Sequence, residues 1–214
     1  LTVLAAGVCQ AQTVSTYDSF TGTTLNAALW QVINQDGTAL ATPTVSLGRL
    51  SVAGAPNRSG VASNARLTST GAVEVDALGW SGTNQILQLY SGPGDFTHFV
   101  EFGAEGTASD GTPILHVWLP TGESYEADAP VRGAISPSNP MRMRIERDGT
   151  TLRFYAYNTL VHTATSSALD NHARVVLYGW NTSVSRWDNV ALSGPAVSLQ
   201  SPSPGARIAG SVTV

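Results

Sequence analysis

Hydrophobic and polar residues alternate through much of the chain, and the alternation is clearest between residues 141 and 157. Met141, Met143 and Ile145 alternate with charged side chains, and Asp148-Gly149 then separates them from a second alternating segment. A period of two residues is the spacing of a half-buried β-strand, because successive side chains point to opposite faces of a sheet. An Asp-Gly pair between two such segments predicts a β-hairpin.

Similar segments recur along the sequence at the spacing of an antiparallel β-sandwich. The segments predicted as strands are residues 17–20, 30–33, 50–52, 60–63, 72–78, 85–90, 98–103, 113–119, 141–147, 152–157, 160–165, 173–179 and 185–193. A single turn of helix is expected at 25–29. The pattern therefore predicts an all-β fold with two stacked antiparallel sheets.

Composition supports this fold class and narrows the range of partners. The 214 residues include 21 glycines and 11 prolines, and only 12% of the residues are charged, as in a turn-rich β protein. The formal net charge of -4, without a basic block, argues against nucleic-acid binding, which needs clustered Lys or Arg to neutralise phosphates.

The two ends of the chain differ from the alternating region. Residues 1–11 are interpreted as the remnant of a secretory signal peptide, because an apolar stretch too short to span a bilayer precedes Cys9-Gln10-Ala11. The expected location is therefore extracellular, with no membrane span. Alternatively, Cys9 is a lipidated anchor, although Val8 stands where that motif prefers a small residue.

Residues 196–214 contain SPSPGA between two short apolar stretches and resemble the start of a bacterial immunoglobulin-like repeat. The resemblance implies a multidomain, bacterial secreted protein with further C-terminal domains. The main domain is then residues 12–195.

Three segments of this main domain carry a resemblance to a known superfamily: DSFTGTTLNAALWQV, ERDGTTLRFYAYNTLVHT and RWDNVALSG. They resemble the concanavalin A-like lectin and glucanase jelly roll in its bacterial laminin-G-like form. The resemblance implies a jelly-roll sandwich that contacts polysaccharide or cell-surface glycan. Asn158-Thr159 stands where the family often has Asn-Gly, which implies a looser hairpin.

Several hydrolases of this fold carry Glu-x-Asp-x-Glu on one strand, where alternation places all three carboxyls on one face. Glu74 and Asp76 match the first two positions, but the third is Leu78, which cannot act as a proton donor. We therefore expect no catalytic site. If the chain is an enzyme, Glu74 and Asp76 are the candidates, with Glu101 or Glu146 replacing the missing carboxyl; otherwise both are solvated surface acids.

Aromatic residues at outward positions of the predicted strands form a candidate sugar platform, because aromatic rings stack on the apolar faces of sugars. The candidates are Trp80, His116, Trp118, Tyr155, Tyr157 and Trp180. Alternation alone does not show which strands share a face. Ordinary cross-strand packing is the alternative for each of them.

The resemblance also implies one structural Ca²⁺, bound by Asp188 of the last strand, with Asp18 and Gly48 as neighbours. Alternatively, Asp188 hydrogen-bonds backbone at a strand end. The four histidines lack the spacing of zinc ligands, so a zinc site is not expected.

The sequence thus predicts a non-catalytic extracellular carbohydrate-binding or adhesion module of a larger secreted protein. The alternatives are a polysaccharide-cleaving enzyme with an altered catalytic strand and a purely structural spacer.

Overall fold

The computed structural model describes residues 12–34, 42–53, 59–81, 84–91, 97–170, 172–179 and 184–193. The predicted signal-peptide remnant and the predicted immunoglobulin-like start lie outside these ranges. The described residues form fifteen β-strands: β1 (Ser15–Asp18), β2 (Trp30–Asn34), β3 (Thr44–Ser46), β4 (Arg49–Ala53), β5 (Ser59–Leu67), β6 (Thr70–Ser81), β7 (Asn84–Tyr90), β8 (Phe99–Thr107), β9 (Pro113–Leu119), β10 (Gly122–Asp128), β11 (Met141–Asp148), β12 (Thr151–Ala156), β13 (Thr159–Thr165), β14 (Ala173–Tyr178) and β15 (Val184–Ser193).

The strands form two antiparallel sheets. The first sheet has eight strands in the order β13-β12-β11-β6-β15-β4-β3, with β1 pairing beside β15. The second sheet has seven strands in the order β10-β9-β8-β7-β14-β5-β2. The predicted all-β, two-sheet antiparallel jelly-roll sandwich is confirmed. Among the described residues, we find no helical segment that could cross a bilayer.

The core lies between the sheets and is made from one row of side chains of each strand. Met141, Met143 and Ile145 of β11 are all buried and lie beside the apolar row of β6. Phe102 of β8 and Phe154 of β12 contact edge to face across the sandwich, with ring centroids 5.6 Å apart. The hairpin predicted at Asp148-Gly149 forms between β11 and β12, but its two loop residues are Gly149 and Thr150, because Asp148 is the last residue of β11 and pairs with Thr151.

Two strands of the structure were not predicted. The single helical turn expected at 25–29 is a hydrogen-bonded turn that does not continue into a helix. β3 has three residues, and β10 lies at the edge of the second sheet with mostly exposed polar side chains. Neither strand has the apolar row that identifies a strand in a sequence. At 25–29, the Asn26 carbonyl accepts the N–H groups of Leu29 and Trp30, and no helix follows.

The hairpin between β12 and β13 is tight, so the expectation of a looser hairpin was wrong. Its two loop residues are Tyr157 and Asn158, with φ of 50° and 64°, and Ala156 pairs with Thr159. Two consecutive positive φ angles are typical of a type I′ turn. The Tyr157 side chain packs against the core, which offsets the strain of its backbone conformation.

Candidate functional site

The second sheet carries carboxyl groups on the face that points away from the core, here called the second-sheet face. On β8, Phe102 and Ala104 are part of the core between the sheets. Alternation therefore places Glu101, Gly103 and Glu105 on the second-sheet face. These residues occupy the first, middle and last positions of a Glu-x-x-x-Glu segment in an interior strand of the sheet.

The floor of this face is apolar and buried, although it points away from the core. A second hydrophobic cluster is formed by Ala62, Ile86, Tyr90, Phe99, Val176 and Tyr178. Ile86 lies directly opposite Gly103, and Tyr178 lies opposite Ile86. Carboxyl groups that lie against this floor are partly or largely removed from water, so their environment differs from that of ordinary surface acids.

Glu101 is buried at one end of the segment and is held by hydrogen bonds. Its Oε1 accepts a hydrogen bond of 2.9 Å from Gln88 Nε2 and one of 2.6 Å from the Tyr178 hydroxyl. Only 6% of the Glu101 surface is exposed. Both donors favour the ionised carboxylate and fix its orientation.

Glu105 is half-buried at the other end and differs in its electrostatics. Burial raises the pKa of its carboxyl above the ordinary value; His116 opposes the shift, while the Glu101 and Glu123 carboxylates add to it. A raised pKa keeps a carboxyl protonated to higher pH, which is the property of a general acid. The pair thus combines a hydrogen-bonded, oriented carboxyl group with one whose pKa is raised by burial.

Gly103 lies between these two glutamates. A Cβ built on Gly103 would lie 3.8 Å from Glu105 Cγ and 3.2 Å from Ile86 Cγ1. The position between the glutamates is therefore narrow and carries no side chain. Where the hydrolase motif has its middle carboxylate, this strand has only backbone.

Next to β8, the strands β9 and β10 carry a second polar group. His116 lies opposite Gly103, and its Nδ1 contacts Glu123 Oε1 of β10. Glu126, which is also on the edge strand β10, lies directly opposite His116 of β9. A histidine and two glutamates therefore line the side of the second-sheet face nearest to β10.

Only part of the predicted sugar platform is brought together. His116 and Trp118 share the second-sheet face, where Trp118 lies opposite Glu101 and is 37% exposed. Tyr155 lies on the outer face of the first sheet, where its hydroxyl donates to Glu146. Tyr157 occupies the hairpin turn, and Trp180 lies outside the described residues.

Trp80 departs from the expected outward position. The pairing of β6 with β15 changes register between Ala77 and Trp80, and Gly79 has a φ of 99°. The irregular backbone turns the half-buried Trp80 toward the core. It lines a pocket of about 150 Å³ that also includes Thr107, which follows the carboxyl-bearing segment of β8.

Glu74 and Asp76 lie on the outer face of the first sheet, within an ion-pair network. Arg144 binds both Glu74 and Glu146, so the proposed replacement Glu146 is also ion-paired. Arg142 Nε lies 3.0 Å from Asp76 Oδ1. The side chain of Glu74 is only 17% exposed, so this acid is paired and largely buried rather than freely solvated.

Asp188, the predicted calcium ligand, is half-buried on β15. Its Oδ1 accepts a 2.7 Å hydrogen bond from the Asn189 backbone N–H. Burial raises the pKa of its carboxyl, the Asn189 hydrogen bond opposes this shift, Asp76 and Asp18 add to it, and Arg49 opposes it. Asp18 Oδ1 and Oδ2 already accept hydrogen bonds from Phe20 N–H and Trp30 Nε1–H.

No protein-family model matches this chain, and no curated protein matches it. Among solved structures, it is similar to a β-glucanase of Bacillus licheniformis, at 17% identity and a TM-score of 0.57, over 86% of this chain and 99% of that chain.

Two further solved structures support the same architecture. The catalytic domain of an endo-1,3-β-glucanase (laminarinase) from Thermotoga petrophila matches at 11% identity and a TM-score of 0.64, over 86% of this chain and 99% of that chain. Carbohydrate binding module CBM66 from Bacillus subtilis matches at 15% identity and a TM-score of 0.56, over 80% and 97%. The fold is the two-sheet antiparallel jelly-roll sandwich of these structures. At these identities the likeness establishes the fold alone.

Glu105, Glu123 and Glu126 were not among the predicted site residues, for identifiable reasons. The strand predicted at 98–103 ends before Glu105, although the alternation of Glu101, Gly103 and Glu105 continues the strand pattern. The two β10 glutamates were not identified because β10 itself was not predicted. The Glu-x-x-x-Glu spacing was the one signal that could have identified the β8 pair.

The first-sheet network leads to a testable prediction about stability. Glu74→Gln removes the charge that pairs with Arg144 and should lower the free energy of unfolding by about 1–3 kcal/mol, measured by urea denaturation. Asp128→Asn, which breaks an exposed pair with Arg132, is the control and should cause no measurable change. Equal stability of the Glu74→Gln variant and the wild type would contradict this role.

Proposed function

We propose that this chain binds a glycan on the second-sheet face. The observation that carries the proposal is the position of Trp118, partly exposed and directly opposite Glu101, beside His116. An exposed ring can stack on the apolar face of a sugar, while neighbouring carboxyl and imidazole groups hydrogen-bond its hydroxyls. The fold shared with glucanases and a carbohydrate binding module supports this assignment.

The outer face of the first sheet is less suited to this task. Its carboxylates are already neutralised by Arg142 and Arg144, and the Tyr155 hydroxyl is already bonded to Glu146. A sugar binding there would have to compete with these contacts. On the second-sheet face, Glu123 and Glu126 of β10 lie on the same side as the exposed Trp118 ring and contact no arginine among the described residues.

Removal of the Trp118 ring should weaken glycan binding. Trp118→Ala is expected to reduce affinity about tenfold or more, equivalent to about 1.4 kcal/mol, in affinity electrophoresis against a panel of soluble polysaccharides. The matched control is Tyr155→Ala, which removes an aromatic ring from the opposite face and should leave affinity unchanged. Failure of the wild type to bind any glycan, or equal losses in both variants, would contradict the proposal and favour a spacer role.

A second candidate function, cleavage of a glycosidic bond, is favoured by the different environments of Glu101 and Glu105. Glu105, whose carboxyl pKa is raised by burial, would donate its proton to the leaving oxygen. Glu101, oriented by Gln88 and Tyr178, would attack the anomeric carbon and form a glycosyl-enzyme intermediate. Glu105 would then take a proton from the water that hydrolyses this intermediate.

If the chain cleaves glycans, both β8 glutamates should be essential. Glu101→Gln and Glu105→Gln are each expected to reduce the release of reducing ends by at least about 100-fold, whereas Glu74→Gln should not. Activity should fall as the pH rises through the raised pKa of Glu105, since its proton is then lost; the titratable groups facing it are Glu101, His116 and Glu123.

Gly103 provides a gain-of-function arm of the same experiment. Gly103→Asp restores a carboxylate between the glutamates and should increase turnover relative to Gly103→Ala, which adds the same Cβ without charge. Both variants require Ile86 to shift by a few tenths of an ångström. If the Gln variants retain glycan binding and the wild type releases no reducing ends, the chain is a binding module.

We also propose one structural Ca²⁺ at Asp188. The carboxylates of Asp76 and Asp18 add to the raised pKa of Asp188, which shows that negative charge surrounds this residue, and the Asp188 carboxylate is a hard oxygen donor that suits Ca²⁺. Bound Ca²⁺ would offset their mutual repulsion and join β15 to neighbouring segments of the chain, including the β3–β4 turn at Gly48.

Calcium should therefore raise the thermal unfolding midpoint. At a hundredfold excess over Kd, a single site contributes about 2.7 kcal/mol, which corresponds to several degrees in a protein of this size. Asp188→Asn should abolish the shift, whereas Asp128→Asn should retain it. Identical melting curves in Ca²⁺ and in a chelator would argue against the site.

We propose in addition that the chain acts outside the cell as the laminin-G-like part of a larger protein. The support is the sequence of residues 1–11 and the SPSPGA segment. A lipid anchor at Cys9 is the alternative mode of attachment.

A further inference from the structure

The edge of the second sheet holds a group of side chains with the composition of a metal site. His116 Nδ1 and one carboxylate oxygen each from Glu123 and Glu126 all lie within 4.8 Å of one another. Within the described ranges, this is the one group of three His, Cys, Asp or Glu side chains that meets this spacing. It combines one nitrogen and two oxygen donors and is therefore not simply an acidic cluster.

The backbone of β10 explains how both glutamates reach the histidine. Glu126 lies opposite His116, whereas Glu123 lies opposite Trp118. Residues three apart on a regular strand point to opposite faces. A register shift between Glu123 and Tyr125 cancels this difference, so both carboxylates project toward His116.

The negative charge of the cluster has no arginine partner among the described residues. Glu123 contacts His116, and Glu126 has neither a hydrogen bond nor an ion pair within the described part of the chain. The nearby Arg132 pairs instead with Asp128 and Asp110. The acids on the outer face of the first sheet, in contrast, are bound by Arg142 and Arg144.

We propose that His116, Glu123 and Glu126 form a binding site for a divalent transition metal ion, with Zn²⁺ as the best fit. An imidazole nitrogen with two carboxylates suits Zn²⁺, whereas Ca²⁺ takes oxygen ligands only. Tetrahedral ligands of Zn²⁺ lie about 3.3–3.7 Å apart. Binding would therefore require Glu123 to rotate away from its direct contact with His116, while the three donor atoms stay within the 4.8 Å that now separates them at most.

Three protein ligands leave one coordination position open. The site lies on the second-sheet face together with Trp118. A water molecule or a hydroxyl group can occupy the open position, as in zinc sites that are accessible to solvent. Metal binding here does not require that a glycan binds.

The test is isothermal titration of the metal-stripped, tag-free chain with ZnCl₂, together with thermal unfolding. The expected result is one bound Zn²⁺ per chain and a higher unfolding midpoint. His116→Ala and Glu126→Gln should each weaken binding more than tenfold. The controls are His172→Ala, an exposed histidine elsewhere, and Asp128→Asn on the same strand, and both should bind Zn²⁺ like the wild type.

Because Glu126 is exposed, its substitution should not affect folding, which keeps the test valid if the His116 variant is unstable. The site is refuted if the wild type binds no Zn²⁺, or if Glu126→Gln and His116→Ala bind it unchanged. Trp118→Ala should bind Zn²⁺ normally while losing glycan, so failure of one proposal is distinguishable from failure of the other. CaCl₂ should not displace the bound Zn²⁺.

Discussion

The packing of one sheet on the other determines which side chains project from the outer faces of the sandwich. Phe102 and Phe154 meet in the middle of the sandwich, and this contact fixes the direction in which β8 faces. Since side chains alternate along a strand, burying Phe102 and Ala104 obliges Glu101 and Glu105 to project on the other side. A slip of one residue would bury two carboxyl groups and expose two core side chains, which would cost many kcal/mol. The position of the candidate site therefore follows from the core.

The two outer faces resemble each other in sequence but differ in electrostatics. β6 and β8 each alternate acidic residues with an apolar row. On β6, neighbouring strands supply Arg142 and Arg144, so the acids serve to join strands. On β8, Gln88 and Tyr178 donate hydrogen bonds to Glu101, and His116 opposes the raised pKa of Glu105. The difference lies in the partner strands rather than in the acids themselves.

The contrast between the acids of β6 and those of β8 explains which features the sequence could predict and which it could not. Strong alternation, as in Met141 to Ile145, was sufficient to identify strands, their inward rows and the sandwich. Assigning Glu74 and Glu101 to different faces required the strand order, which depends on contacts between distant segments. The sequence could not predict that His116 and Glu126 lie together. The edge strand β10 has few apolar residues and therefore no periodic signal, and its register shift depends on its pairing with β9.

The irregular edge strand has a further consequence for solubility. Among the strands that the structure describes, β10 is the last of its sheet, and the edge of a sheet is a template on which another copy of the chain could add by hydrogen bonding. Its register shift interrupts the regular row of backbone donors, and Glu123 and Glu126 would bring like charges together in a pair of such edges. The same distortion that gathers polar groups at this margin thereby opposes fibrillar self-association.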